Sequence, residues 1–208
     1  MMGNIFNKCL LSDFMAAFGK SLRSEIDKLE ITDSTDIKQI IGRLKTQYTI
    51  EPLSLKDPIP SNAIETTIDR INHWGEEYKQ KVYQINVTIP YDGNMELFDC
   101  HPSSSAIIYL DKSVHISSDK IFATIILDDL DENKYKSKVS EIVLGLTANI
   151  PGINNEISPW NTNLENTIKQ LLEQRKGLVS KKFDFMEKIG IKVNPKSLLS
   201  GKKNRGRY

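Results

Sequence analysis

Lys81-Val82-Tyr83-Gln84-Ile85-Asn86-Val87-Thr88-Ile89 is the stretch on which the fold turns. Tyr83, Ile85, Val87 and Ile89 alternate with Val82, Gln84, Asn86 and Thr88, the period of two that a half-buried strand presents to a core. Tyr91-Asp92-Gly93-Asn94 follows and reads as a turn, because Asp and Gly tolerate the backbone conformations a reversal needs. Beyond it, Met95 to Phe98 reads as a short extended segment, interrupted by His101-Pro102-Ser103-Ser104-Ser105. Ala106–Leu110 and Val114–Ile116 then read as a hairpin through Asp111-Lys112-Ser113. Lys120–Leu127 is a nearly continuous apolar run of strand length, suited to a central strand covered on both faces.

On the N-terminal side the period becomes helical. Phe14, Ala17, Phe18, Leu22, Ile26 and Leu29 recur at three and four residues behind the capping pair Ser12-Asp13, which predicts a helix over about 13–29. A second helix is expected from Asp36 to Tyr48, with Ser34 or Thr35 near its start. Glu51 to Asn62 holds Pro52, Pro58 and Pro60 and reads as a loop, the best place for a boundary. Ala63–Ile71 reads as a short helix stopped by Asn72-His73-Trp74-Gly75.

After the strands, Asp128-Asp129-Leu130-Asp131-Glu132 opens a helix, since carboxylates suit its free N–H groups. Tyr135, Val139, Ile142, Val143 and Leu146 form its face, and Pro151-Gly152 ends it. Ser158-Pro159 starts a long last helix with the stripe Trp160, Leu164, Ile168, Leu171, Leu172, Val179, Phe183 and Met186, closed by Gly190. The expected class is α+β: an antiparallel sheet of about four or five strands with helices packed on one face, N-terminal helices before it and two C-terminal helices after it. One domain over 1–191 is expected, with a helical subregion over 1–50 and a flexible basic tail over 192–208.

The 208 residues carry 28 Lys+Arg against 27 Asp+Glu, so bulk charge does not direct the chain to nucleic acid or anionic membrane. The charge that is asymmetric lies at the end: Lys192, Lys196, Lys202, Lys203, Arg205 and Arg207 follow the last acid, Glu187. These six are the candidate nucleic-acid contacts. Cys9 and Cys100 are not the dense framework of oxidised secreted domains, and reduced thiols in a cytoplasm are expected. No apolar run approaches the length of a membrane span, and Cys9-Leu10-Leu11 is too short for a signal-peptide core.

His73, His101 and His115 have no partner at metal-ligand spacing. Cys100-His101 are sequence neighbours on a strand and point apart, against thiol catalysis. Asp128, Asp129, Asp131 and Glu132 could offer carboxylates to a divalent cation but lack the glycine and spaced acceptors of a calcium loop. Gly152, Gly177 and Gly190 are isolated, so no phosphate loop is present. No cofactor, metal or catalytic residue is therefore assigned.

Gln47-Tyr48-Thr49-Ile50-Glu51-Pro52, Ile89-Pro90-Tyr91-Asp92-Gly93-Asn94-Met95-Glu96-Leu97-Phe98, His101-Pro102-Ser103, Asn163-Leu164, Gln174-Arg175-Lys176 and Ile189-Gly190-Ile191 occur in this order. Together they resemble the N-terminal region of a group of uncharacterised bacterial proteins in which a restriction-endonuclease-like, PD-(D/E)xK-type nuclease domain follows. The resemblance implies an anti-phage defence component whose shared region senses, scaffolds or binds a partner. The chain departs from the pattern by stopping soon after Gly190 with no acidic–spacer–Glu-x-Lys strand, so a nuclease or other effector is expected on a separate chain.

The resulting expectation is a cytoplasmic, non-catalytic accessory protein that binds an effector encoded in the same operon. Tyr91, Asp92, Gly93, Asn94, His101 and Ser103 are the candidate recognition loops, since loops on a rigid sheet commonly carry recognition. The alternative is a nucleic-acid-binding module using the basic tail. A third reading, an enzyme, needs Asp92, Glu96 and His101 around one cleft. Self-association is compatible with all three.

Overall fold

A computed structural model describes residues 6–29, 31, 35–104 and 114–190. These form two compact units. The first joins the chain up to Met15 to Ile50–Pro159, and the second joins Ala16–Thr49 to the chain from Trp160 onward. The fold is α+β with a five-stranded antiparallel sheet.

The sheet belongs to the first unit and is built on β4 (Glu77–Asp92). On one edge β4 pairs with β2 (Ser54–Leu55) and β3 (Ile59–Ile71); on the other it pairs with β7 (Lys120–Leu127), which pairs with β6 (Val114–Ile116). The register sets Tyr83 opposite Leu127, Ile85 opposite Ile125, Val87 opposite Ala123 and Ile89 opposite Ile121. Directly opposed residues share a face, and Val87, Ile89, Ile121, Ala123, Ile125 and Leu127 are all buried. Val87 and Ile89 of the alternation in Lys81–Ile89 therefore lie on the core face, whereas Tyr83 and Ile85 are half-buried and Val82, of the alternate set, is fully buried. β7 is not covered on both faces as its apolar run suggested, because Phe122 and Ile126, which alternate with the buried set, are exposed.

Three further expectations are corrected. Ala63–Ile71 is not a helix but part of β3, which begins inside the stretch read as a loop and pairs with β4 from Ile59 to Ile71. Pro60 is tolerated because β3 lies at an edge, and the ladder is irregular between Pro60 and Ala63. Met95 to Phe98 is not extended: Met95–Asp99 is a 3-10 helix. The last helix does not start at Ser158-Pro159. α3 (Glu132–Thr147) gives way at once to α4 (Ile150–Lys188), with Pro151 in the first turn, where its missing N–H costs nothing, and Pro159 inside. Val114–Ile116 is a strand as expected, whereas Ala106–Leu110 and the turn at Asp111-Lys112-Ser113 lie outside the described residues.

A second, two-stranded parallel ladder joins β1 (Cys9–Leu10) to β5 (Cys100–His101). The second unit is helical. α1 (Leu11–Asp27) from Ala16 onward, α2 (Ile37–Tyr48) and α4 from Trp160 onward contribute Leu22, Ile26, Leu44, Leu164, Ile168 and Leu172 to one buried cluster. Asp36 caps α2, its carboxylate accepting from the Gln39 amide at 3.1 Å.

Candidate recognition surface

Of the residues singled out after β4, most hold the fold together. Tyr91 is buried, and its hydroxyl donates to the Ser117 carbonyl at 2.6 Å. Its phenol is raised by burial and by the nearby Asp119. Asp92 forms an exposed ion pair with Lys56 at 2.8 Å. Gly93 has φ +114, and a Cβ there would stand 2.4 Å from the Pro52 carbonyl oxygen, so only glycine fits. The Asn94 side chain accepts from the Glu96 amide at 2.9 Å and so starts the 3-10 helix, while its own amide donates to the Glu51 carbonyl at 3.0 Å.

His101 follows the buried Cys100, and its Nδ1 is buried with no hydrogen-bond partner among the described residues. The Ser103 amide donates to Glu156 at 2.8 Å, and the Ser103 hydroxyl makes a short bond to the same carboxylate oxygen. The structure does not support drawing Asp92, Glu96 and His101 into one catalytic group: Asp92 is paired with Lys56 and Glu96 lies exposed on the 3-10 helix. The acidic run is likewise partnered. Asp128 binds Arg70 at 2.7 Å, Asp129 binds Lys134 at 2.9 Å, Asp131 caps α3 through the Asn133 amide at 2.7 Å, and Glu132 pairs with Lys136. No cluster of three or more metal-type ligands occurs among the described residues. Lys192, Lys196, Lys202, Lys203, Arg205 and Arg207 lie outside the described residues.

The prominent exposed surface lies on β3, where the spacing of Ala63–Ile71 predicts a helix. Beyond Tyr83, β4 pairs with no described strand except β3, and the two continue as a ribbon through the pairs Thr66–Val82 to Ile71–Glu77, with Val82 buried at its base. At about 3.4 Å per residue, that ribbon runs some 17–20 Å. Its turn is built by Asn72, whose side-chain oxygen accepts from the Trp74 and Glu76 amides at 3.0 and 2.9 Å, with Gly75 at φ +86. Trp74 at this tip is 74% exposed and Ile71 69%, and Tyr78, opposite Arg70 in the register, is exposed on the other face of the ribbon from Ile71. The signal available in the sequence was the β-branched run Thr66-Thr67-Ile68 before an Asn-x-x-Gly turn.

The sheet's outward face continues the apolar surface. Ile64 lies opposite Gln84 and Gln84 opposite Ile126; Ile59 lies opposite Thr88 and Thr88 opposite Phe122. All four apolar side chains in these two rows are exposed. Asn86 and Thr124, paired on the same face, hydrogen-bond to each other at 3.1 Å. The outer edge of β3 has no strand beside it among the described residues.

In the helical unit, Glu25 gathers three donors: Arg43 at 2.6 Å, Tyr48 at 2.8 Å and Gln47 at 2.9 Å. The Arg43 bond holds its carboxyl below the usual range despite partial desolvation, while burial and Glu25 push the Tyr48 phenol up to about 12. An open groove of about 610 Å³ passes this cluster, lined by Lys20, Ser21, Ser24, Glu25, Lys28 and Tyr48. No described helix is long and apolar enough to cross a membrane. Comparison with protein-family models, curated proteins and solved structures found no match.

Proposed function

We propose that this chain is a non-catalytic accessory component of a bacterial anti-phage defence system, and that it binds its effector protein through the β3–β4 ribbon and the outward sheet face. The observation that carries the binding role is the exposure of large apolar side chains toward the end of the ribbon: Ile71 and Trp74 are mostly exposed, and Tyr78 is exposed on the other face from Ile71. A two-stranded ribbon is marginally stable on its own, and apolar groups at its end add no core. Such groups suit a partner's surface, where aromatic anchors commonly dominate affinity. The outward rows Ile59–Phe122 and Ile64–Ile126 and the open β3 edge offer continuous contact for main-chain and side-chain pairing. The defence setting rests on the resemblance carried by the fragments between about residues 35 and 191.

The test is co-expression with the product of each adjacent gene, followed by co-purification at moderate salt. The reading expects one such product to elute with the wild-type chain and to be lost from Ile71→Ser/Trp74→Ser. Retention of that product by the double variant refutes the ribbon as the contact. Copurified nucleic acid, released by salt, in place of a protein refutes the accessory role.

A further inference from the structure

The two cysteines meet, although 91 residues separate them in the chain. In the parallel ladder Cys9 lies directly opposite Cys100. Neighbouring strands are about 4.8 Å apart, inside the 4.4–6.8 Å Cα window that a disulfide requires. The side chains point at each other: Sγ to Sγ is 2.9 Å, inside ordinary sulfur contact and within about 1 Å of bonding distance.

The surroundings hold this approach from both sides. The Phe6 amide donates to the Phe98 carbonyl at 2.6 Å, and the Lys8 amide donates to the Asp99 carbonyl at 2.9 Å. Lys8 and Asp99 form an ion pair at 2.6 Å, and the Phe6 ring lies 5.7 Å from that of Phe98. Cys100 is fully buried with its thiol directed to the Glu96 carbonyl at 3.5 Å, whereas Cys9 is partly open to solvent. The pair therefore has an accessible thiol and a sheltered one within reach of it.

We propose that Cys9 and Cys100 are an intramolecular cross-linking site, closed by thiol–disulfide exchange with a low-molecular-weight disulfide such as oxidised glutathione. The Cys9 thiolate attacks one sulfur of the donor, forming a mixed disulfide and releasing one glutathione thiolate. That thiolate takes the Cys100 proton; the Cys100 sulfur then attacks the Cys9 sulfur and expels the second glutathione. Two protein thiols are oxidised to one disulfide, and the donor disulfide is reduced to two thiols. Burial, and then the bond to Cys9, push the Cys100 thiol up, so the first attack falls to Cys9, the thiol open to solvent. Closure fastens the segment before α1 to β5 covalently. This inference is independent of the partner-binding reading and does not use the ribbon.

The full-length chain is incubated, folded, with oxidised glutathione, then alkylated with N-ethylmaleimide and weighed by mass spectrometry. The expected result is complete loss of both alkylatable thiols, a mass lower by two hydrogen atoms than the reduced chain, and a Cys9–Cys100 linked peptide after digestion. Cys100→Ala is expected to accumulate a glutathione adduct on Cys9. Persistence of two alkylatable thiols in the wild type, or of a stable glutathione adduct on its Cys9, overturns the proposal. The wild-type measurement decides the matter even where the alanine variant fails to fold.

Discussion

Replacing Gly93 by alanine confronts two separate costs that the structure places at one atom. The backbone at Gly93 has φ +114, which an L side chain resists at roughly 1–2 kcal/mol. The added Cβ would also stand 2.4 Å from the Pro52 carbonyl oxygen, 2.8 Å from its carbon and 2.9 Å from the Leu53 Cα. These are main-chain atoms and no rotamer change relieves them. Relief requires the 52–53 segment to move, which stretches the Asn94–Glu51 bond of 3.0 Å and the two bonds joining Leu53 to Asn154. At about 1 kcal/mol for each weakened bond, the total with the backbone cost reaches about 4–5 kcal/mol. With a urea m-value of about 2 kcal/mol/M, the midpoint falls by roughly 2–2.5 M. Gly75→Ala supplies the control. Its φ is +86 but nothing lies within 4 Å of the added carbon, so only the backbone cost of about 1 kcal/mol applies. Urea unfolding followed by far-UV circular dichroism measures both. Equal midpoints for the two variants refute the steric argument.

Asn154→Ala removes a side chain that donates to the Leu53 carbonyl at 2.8 Å and accepts from its amide at 3.0 Å, leaving a buried backbone unpaired; a loss of about 2–3 kcal/mol is expected in the same assay. Tyr48, raised to about 12, favours the folded state below the ordinary tyrosine value near 10, and that contribution disappears as pH rises to about 12. Its phenol should be the last of those with smaller shifts to ionise by tyrosinate absorbance, and Tyr48→Phe should abolish the late phase. Glu25 has the opposite sign: its lowered carboxyl stabilises the fold above the ordinary carboxylate range and ceases to as pH falls through its depressed value, so acid unfolding should lose part of its pH dependence in Glu25→Gln. Trp74→Ala, at a site 74% exposed, is expected to change stability by less than about 0.5 kcal/mol, so any loss of partner is a binding effect; a larger destabilisation would make Trp74 structural.

β4 was legible because its apolar and polar residues alternate from Tyr83 to Ile89, although Val82 is buried out of phase, and α1 and α2 because their apolar stripes follow the helical period. β3 was not legible for a definite reason. Ile64, Ile68 and Ile71 fall at helical spacing, and the half-buried positions Thr66, Ile68 and Arg70 are mostly polar, so the burial period of two is not written in apolar residues. β7 was placed correctly, but its covering was overstated because Phe122 and Ile126 are apolar without being buried. Pro159 misled differently, since proline reads as a helix start although here it is carried inside α4. Among the candidate site residues, the structure gives several a role in the fold. Gly93 and Asn94 are distinctive because tight packing and a helix start require them, and nothing local marked Glu156 as the partner of Ser103. The juxtaposition of Cys9 with Cys100 depends on a register between distant strands and leaves no local pattern.

The division of the chain between its two units has a consequence for biosynthesis. The helical unit needs Ala16–Thr49 and the segment from Trp160, and the entire Ile50–Pro159 stretch is made between them. At translation rates of about 5–20 residues per second, α1 and α2 wait some 5–20 s for the helix that completes their cluster. During that interval Leu22, Ile26 and Leu44 have no mate from α4, and a chaperone or a neighbouring nascent chain competes for them. The sheet-bearing unit has all its strands by Leu127, so pulse-labelled nascent chains should acquire protease resistance there before the helical unit does.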